Sequence, residues 1–179
     1  MQLVVNATLG FTMPTIHLGF AVALLTATLV TPAMAQKIAE PGKATCPQTQ
    51  HTENAAAAKA TNRVRQAKGL APVRANAKLA EAAARHACDM AARGEMTHRG
   101  SATKGPLARV KRLGYRPRMA AENIAAGPFS LSQVLHAWNN SAGHLANIMI
   151  PHVRDYGIGH AVGADGTIYW ASVYGAPQH

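Results

Sequence analysis

Three residues near the carboxyl end of the chain, Ser141, His144 and Asp155, are of the types that serve nucleophilic catalysis. In a catalytic triad the serine attacks, the histidine takes its proton and the carboxylate orients the histidine. The sequence around Ser141, however, contains neither the Gly-x-Ser-x-Gly pattern of a nucleophile elbow nor a recognisable oxyanion loop. Asn140 and Ser141 are equally typical of a helix end and a helix N-cap. This pattern alone therefore does not predict a serine hydrolase.

A second chemical feature is positive charge: the chain has 18 Lys and Arg but only 8 Asp and Glu, which gives a net charge of +10. The stretch between Glu95 and Glu122 holds seven cations and no acid. Such a run is either a solvated face or a footprint for an anionic lipid, glycan or cell-wall polymer. Nucleic acid is not expected, because Tyr115 is the single aromatic residue interleaved with these cations. The seven are Arg99, Lys104, Arg109, Lys111, Arg112, Arg116 and Arg118.

Cys46 and Cys88 are the two cysteines of the chain. In an oxidising compartment two cysteines normally pair, and a bridge over this separation would stabilise the fold by about 4 kcal/mol. Two unpaired thiols are the alternative, because the sequence does not give the Cα distance that a disulfide requires.

The amino-terminal stretch indicates export. No charged residue precedes Lys37, and residues 19–30 are almost wholly apolar before a small-x-small pair that ends at Ala35. A dozen apolar residues suit a signal peptide better than a membrane span, which needs about 20. We expect residues 1–35 to be cleaved and the mature chain to be secreted or periplasmic, without a transmembrane span. An uncleaved anchor is the alternative, and a true start at Met13 would shorten the signal to the usual length.

The length of 179 residues and the hydrophobic fraction of 48% indicate one globular domain. Residues 36–51 form a linker broken by prolines. Helices before and after a small antiparallel sheet predict an α+β domain. The predicted elements are helices at 52–68, 76–93, 106–113 and 131–140, a helical turn at 147–150, a strand or extended turn at 122–127, and hairpin strands at 156–162 and 167–175.

The second predicted helix has the clearest signals. Asn76 is a good N-cap and Gly94 a good stop. Apolar residues recur on one face at helical spacing, and His86 lies among them, which favours a core histidine over a ligand. This face comprises Leu79, Ala82, Ala83, His86, Ala87 and Met90.

Several ordered motifs together resemble the CAP superfamily of cysteine-rich secretory proteins, antigen 5 and pathogenesis-related proteins, in its compact bacterial form. The resemblance covers residues 52–175 and leaves 176–179 as a tail. It implies an α-β-α sandwich with a small antiparallel sheet between helical layers, secretion, and a shallow cleft lined by two histidines and two glutamates. The motifs are NRVRQAKGL from Asn62, MTH ending at His98, AENIAAG from Ala121, WNNSAGHLANI from Trp138, DYGIG from Asp155 and IYW from Ile168.

By this resemblance His98, Glu122 and His144 are the cleft residues. Ser141 stands where the family commonly has its second glutamate, as in other bacterial members with a similar Ser-x-x-His pattern. Asp155 is a weak candidate for the missing carboxylate, because it is the one acid between His144 and Asp165.

Two histidines and a carboxylate are the ligand count of an open zinc site. His98 and His144 are therefore candidate metal ligands, with Glu122 as a third ligand or a base. Without a cation, the same residues would form a hydrogen-bonded polar cleft.

Two classes of function follow. One is a binding or effector module that acts at the cell envelope or outside the cell, with or without affinity for a divalent cation. The other is a metal-assisted hydrolase that acts on peptides or envelope polymers. The sequence does not decide whether the protein is an enzyme.

Overall fold

The computed structural model describes residues 43–178, so the predicted signal peptide, residues 1–35, lies outside the described part. No helix within residues 43–178 has the length and apolar content to cross a bilayer. The helices are α1 His51–Gln66, α2 Ala77–Arg93, α3 Pro106–Arg112, α4 Leu131–Asn139 and α5 Ala142–Ile148, and the strands are β1 Arg74–Ala75, β2 Pro117–Ala126, β3 Asp155–Val162 and β4 Ile168–Pro177.

The four strands form one sheet in the order β1-β3-β4-β2. The predicted hairpin is confirmed, because β3 and β4 pair antiparallel, and β2 pairs antiparallel with the other side of β4. The two-residue β1 runs parallel to β3, so the sheet is mixed rather than purely antiparallel. The order leaves β2 at an edge, where side chains from both faces of the sheet can meet.

Helices cover both faces of this sheet, which confirms the α-β-α sandwich. One core cluster joins α2 and α3 to the sheet through residues such as Met90, Val110 and Val173. The other joins α1, α4 and α5 to the opposite face, with Trp138 and Tyr174 among its members. Alternation along the strands therefore places neighbouring residues of β2 in different layers.

Helix α2 forms with the predicted ends and the predicted buried face. The Asn76 side chain accepts hydrogen bonds from the backbone N–H groups of Lys78 and Leu79, and Gly94 ends the helix at a φ of 65°. The six predicted face residues, His86 included, are all buried.

Glycine lets α2 lie directly against β3. A Cβ built on Gly159 would meet the backbone nitrogen of Ala84 at 2.3 Å, and one on Gly157 would meet that of Ala80 at 2.1 Å. Backbone atoms cannot rotate away as a flexible side chain can, so a methyl group here must push the helix off the sheet.

We expect Gly159→Ala to lower the free energy of unfolding by about 1–3 kcal/mol, as overpacked cores do. Urea denaturation would measure the loss. Gly143→Ala is the matched control, because a Cβ there meets nothing within 4 Å. Equal stability of Gly159→Ala and the unsubstituted protein would contradict the close packing of α2 on β3.

The structure corrects several boundaries. Strand β2 begins at Pro117, five residues before the predicted start, because it continues along β4 as far as Pro177. The predicted tail at 176–179 therefore begins inside β4. Helix α5 occupies Ala142–Ile148, whereas the sequence indicated only a turn at 147–150.

The described part of the predicted linker, residues 43–50, is attached to the domain. Thr45 forms a β-bridge with Val162, and the Thr49 hydroxyl donates to the carbonyl of Ile158 at 2.8 Å. Cys46 and Cys88 form a disulfide with their Cα atoms 5.3 Å apart, which confirms the predicted pairing. The bridge fastens this segment to α2.

Candidate functional site

Glu122 lies near the middle of edge strand β2, and its side chain points into the layer of α2 and α3. The residue is 4% exposed. Its Oε1 atom lies 2.9 Å from His98 Nδ1, and its Oε2 atom accepts a hydrogen bond from Arg109 Nη2. The structure therefore brings His98 and Glu122 together as predicted, and adds an arginine that the cleft prediction did not include.

Arg109 projects from α3 and is buried beside Glu122. Its Nη1 atom donates to the backbone carbonyl of His98 and to the Thr103 hydroxyl, both at 3.2 Å. One guanidinium thus neutralises the carboxylate and fixes the loop that carries His98. The prediction that Arg109 shares the role of the other cations in the basic run was wrong, because its charge faces inward, where Glu122 needs a counter-ion in the core.

His86 reaches the same carboxylate from α2. It is 1% exposed, and its Nε2 atom lies 2.9 Å from the carbonyl oxygen of Thr97 and 3.6 Å from Glu122 Oε1. Because a carbonyl oxygen only accepts, Nε2 carries the proton. Burial is the main cause that lowers the pKa of His86, although the charge of Glu122 acts in the opposite direction. The core-histidine interpretation fits, but this residue also lines the back of the cleft.

His144 approaches from the other layer, on α5. Its Nδ1 atom lies 2.8 Å from Ser141 Oγ, so Ser141 orients the ring and makes no side-chain cap to α5. Burial, and then the electrostatic interaction with His98, lower the pKa of His144. His144 is therefore hydrogen-bonded to Ser141, whereas Glu122 is hydrogen-bonded to His98.

A pair of amides holds α5 against the edge of β2. Asn147 Nδ2 donates to the carbonyl of Glu122 at 3.1 Å and to Asn123 Oδ1 at 2.8 Å. Asn123 Nδ2 in turn donates to the carbonyl of His144 at 3.1 Å. These contacts fix the two halves of the cleft relative to each other, and neither asparagine was among the predicted cleft residues.

Asp155 has other partners. It begins β3, which β4 separates from β2, and it accepts hydrogen bonds from the Tyr115 hydroxyl at 2.8 Å and from Arg74 at 3.3 Å. Burial, and then the bond to Asp155, raise the pKa of Tyr115. The structure thus places Asp155 in a separate polar cluster and does not bring it to His98, Glu122 or His144.

The predicted metal ligands can be tested against this geometry. Within residues 43–178, no three His, Cys, Asp or Glu side chains are grouped so that they could hold a metal ion. Both oxygens of Glu122 accept hydrogen bonds, from His98 and from Arg109. As arranged, these residues do not fit a divalent cation, because a guanidinium already balances the carboxylate. Zinc binding by His98 and His144 stays a prediction.

The other six cations of the basic run are exposed, and we call them the basic face. They surround the His98 loop and α3 and continue to the start of β2. They are Arg99, Lys104, Lys111, Arg112, Arg116 and Arg118.

Comparisons with known proteins agree with this architecture. Residues 58–174 match the family model described as CAP, the cysteine-rich secretory protein family. The chain is 33% identical over 100 residues to the uncharacterized protein YkwD of Bacillus subtilis, a match that covers 56% of this chain and 39% of YkwD. It therefore spans about two fifths of the length of this curated relative.

Two solved structures share the fold. An outer surface protein from Borrelia burgdorferi has a TM-score of 0.64 at 16% identity, with 73% of this chain and 96% of that chain covered. An extracellular SCP-domain protein from Bacillus anthracis has a TM-score of 0.61 at 23% identity, with 69% and 40% covered. At these identities the likeness concerns the fold alone.

Proposed function

The chain belongs to the cysteine-rich secretory protein (CAP) family, and from this premise we propose that it is an exported binding module that recognises an anionic partner. The basic face and the cleft of His98, Glu122 and His144 are the proposed contact surface. The partner is an anionic lipid, glycan or cell-wall polymer, met at the cell envelope or outside the cell.

The engagement of Glu122 is the observation that carries this proposal. A metal-assisted hydrolase would need this carboxylate as a metal ligand or as a base with a free oxygen. Instead, His98 occupies one oxygen and Arg109 the other, and the arginine is itself buried. This arrangement leaves neither oxygen of Glu122 without a hydrogen-bond partner, and it gives the hydrolase alternative no support.

The basic face supplies the attraction. Its six cations are exposed, and the segment that carries them also exposes two large hydrophobic side chains, Met96 at 52% and Leu107 at 39%. Clustered positive charge raises the local concentration of an anionic partner, and basic residues near an anionic membrane each contribute about 1 kcal/mol. The exposed apolar side chains would add contact once the partner is close.

We expect the mature chain to cosediment with anionic vesicles or with cell-wall fragments, and to release them as salt rises from about 0.05 M to about 0.5 M, because salt screens exposed charges. The substitution Arg99→Gln/Lys104→Gln/Lys111→Gln should weaken this binding. The matched control, Lys59→Gln/Arg63→Gln/Lys68→Gln, removes three exposed cations from α1 and the turn that follows it, in the other layer. Binding that does not change with salt concentration, or that falls equally in both triple variants, would overturn the basic-face proposal.

A further inference from the structure

A cavity of about 260 Å³ lies behind the cleft, between α2, α3 and the loop at residues 100–103. Helix α2 contributes one face to its wall. The cavity is slightly smaller than the usual range of about 300–1,000 Å³ for small-molecule sites, so a ligand here would be small. The α2 residues are Ala82, Arg85, His86 and Asp89, and α3 and its end contribute Arg109, Arg112 and Leu113.

The charge of this cavity favours an anion. Arg85 and Arg112 are exposed side chains of its wall. Among the described residues Arg112 has no ion-pair partner. Arg85 forms an exposed salt bridge with Glu81, and such a bridge contributes little to stability. The one acid of the wall, Asp89, is already bound by Ser101 and Arg93.

Two residues that line the cavity each have a side-chain nitrogen atom that is buried without a hydrogen-bond partner among the described residues. His86 and Arg109 are both more than nine-tenths buried. Within residues 43–178, His86 Nδ1 and Arg109 Nε have no hydrogen-bond partner. Since His86 Nε2 holds its proton toward Thr97, Nδ1 lacks a donor, whereas the Arg109 Nε–H lacks an acceptor. A ligand hydroxyl group can act both as donor and as acceptor, but neither atom has accessible surface, so the hydroxyl reaches them only after the two side chains shift.

We infer that this cavity is a binding site for a small hydroxylated anion, of the class of a sugar phosphate or a uronic acid. The anionic group pairs with Arg85 and Arg112, and the hydroxyl groups face the wall formed by His86, Arg109 and Thr103. The apolar side chains of Ala82 and Leu113 suit the C–H face of a sugar. The cavity shares Arg112 with the basic face, but its ligand is a soluble small molecule rather than an envelope surface.

The test is a titration of the mature chain, followed by amide chemical shifts in NMR spectra. Glucose 6-phosphate and glucuronic acid are the two anionic probes, and they distinguish a phosphate from a carboxylate as the recognised group. Glucose tests the hydroxyl groups alone, and inorganic phosphate tests the charge alone. We expect saturable shifts at residues 82–89, 100–103 and 109–113 with at least one sugar anion, and weaker binding of both glucose and phosphate.

Arg85→Gln/Arg112→Gln should weaken that binding at least tenfold. Arg116→Gln/Arg118→Gln is the matched control, since it removes two exposed cations that do not line the cavity. Equal affinity in the two double variants, or the absence of saturable shifts with either sugar anion, would overturn the inference.

Discussion

Arg109→Met and Glu122→Gln should each lower the free energy of unfolding by about 3–5 kcal/mol, because each leaves a buried partner without its counter-group. The side chain of Glu122 is 1% exposed and that of Arg109 is 7% exposed, so water cannot replace the lost partner. Arg109→Met would also release the His98 carbonyl and the Thr103 hydroxyl. Urea denaturation of the two single variants would measure both losses.

The double variant measures the direct interaction between Arg109 and Glu122, apart from the interactions of each with other residues. Arg109→Met/Glu122→Gln removes both charges at once, so we expect its loss of stability to be well below the sum of the two single losses. The exposed i,i+4 pair of Arg85 and Glu81 is the matched control, with side chains 69% and 48% exposed. The coupling energy of this exposed control pair should be about 0.5 kcal/mol or less. Additive losses for Arg109 and Glu122 would contradict a direct buried ion pair.

Removal of the disulfide should lower the free energy of unfolding by a comparable amount. In the loop-entropy model Cys46→Ser/Cys88→Ser costs about 4 kcal/mol, because the bridge closes a loop across a separation of 42 residues. The segment 43–50 is otherwise held by the Thr45 bridge and the Thr49 hydrogen bond. We therefore also expect faster proteolysis of this segment when the bridge is absent.

Reductant provides the internal control for this prediction. Dithiothreitol should lower the urea midpoint of the unsubstituted mature chain to that of the double-serine variant, and should leave the variant unchanged. An unchanged midpoint after complete reduction would show that the disulfide does not stabilise the domain.

Elements with strong local signals were predictable from the sequence. The α2 helix has an N-cap at Asn76, a glycine stop at Gly94 and apolar residues at helical spacing between them. The β3–β4 hairpin has two largely apolar strands on either side of a turn that contains Gly163 and Gly166. The cleft residues His98, Glu122 and His144 came instead from the resemblance to a family, because they lie far apart in the chain and only the fold brings them to the edge of β2.

Other features depend on tertiary contacts that leave no local pattern. The first half of β2 has no hydrophobic alternation, and it becomes a strand because β4 pairs with it. Strand β1 has two residues and exists only beside β3. Arg109 looks like its basic neighbours in the sequence, and only the position of Glu122 in the fold shows that this cation faces the core.

Whether Arg109 or a metal ion balances Glu122 is tested most directly by calorimetric titration of zinc into the mature chain, purified with its histidine tag removed and without chelator. If Arg109 is the counter-cation, the unsubstituted protein and His98→Ala/His144→Ala should give the same weak heats, and zinc should not raise the melting temperature of either. Stoichiometric zinc binding by the unsubstituted protein, lost in the double variant, would show instead that the cleft is a metal site.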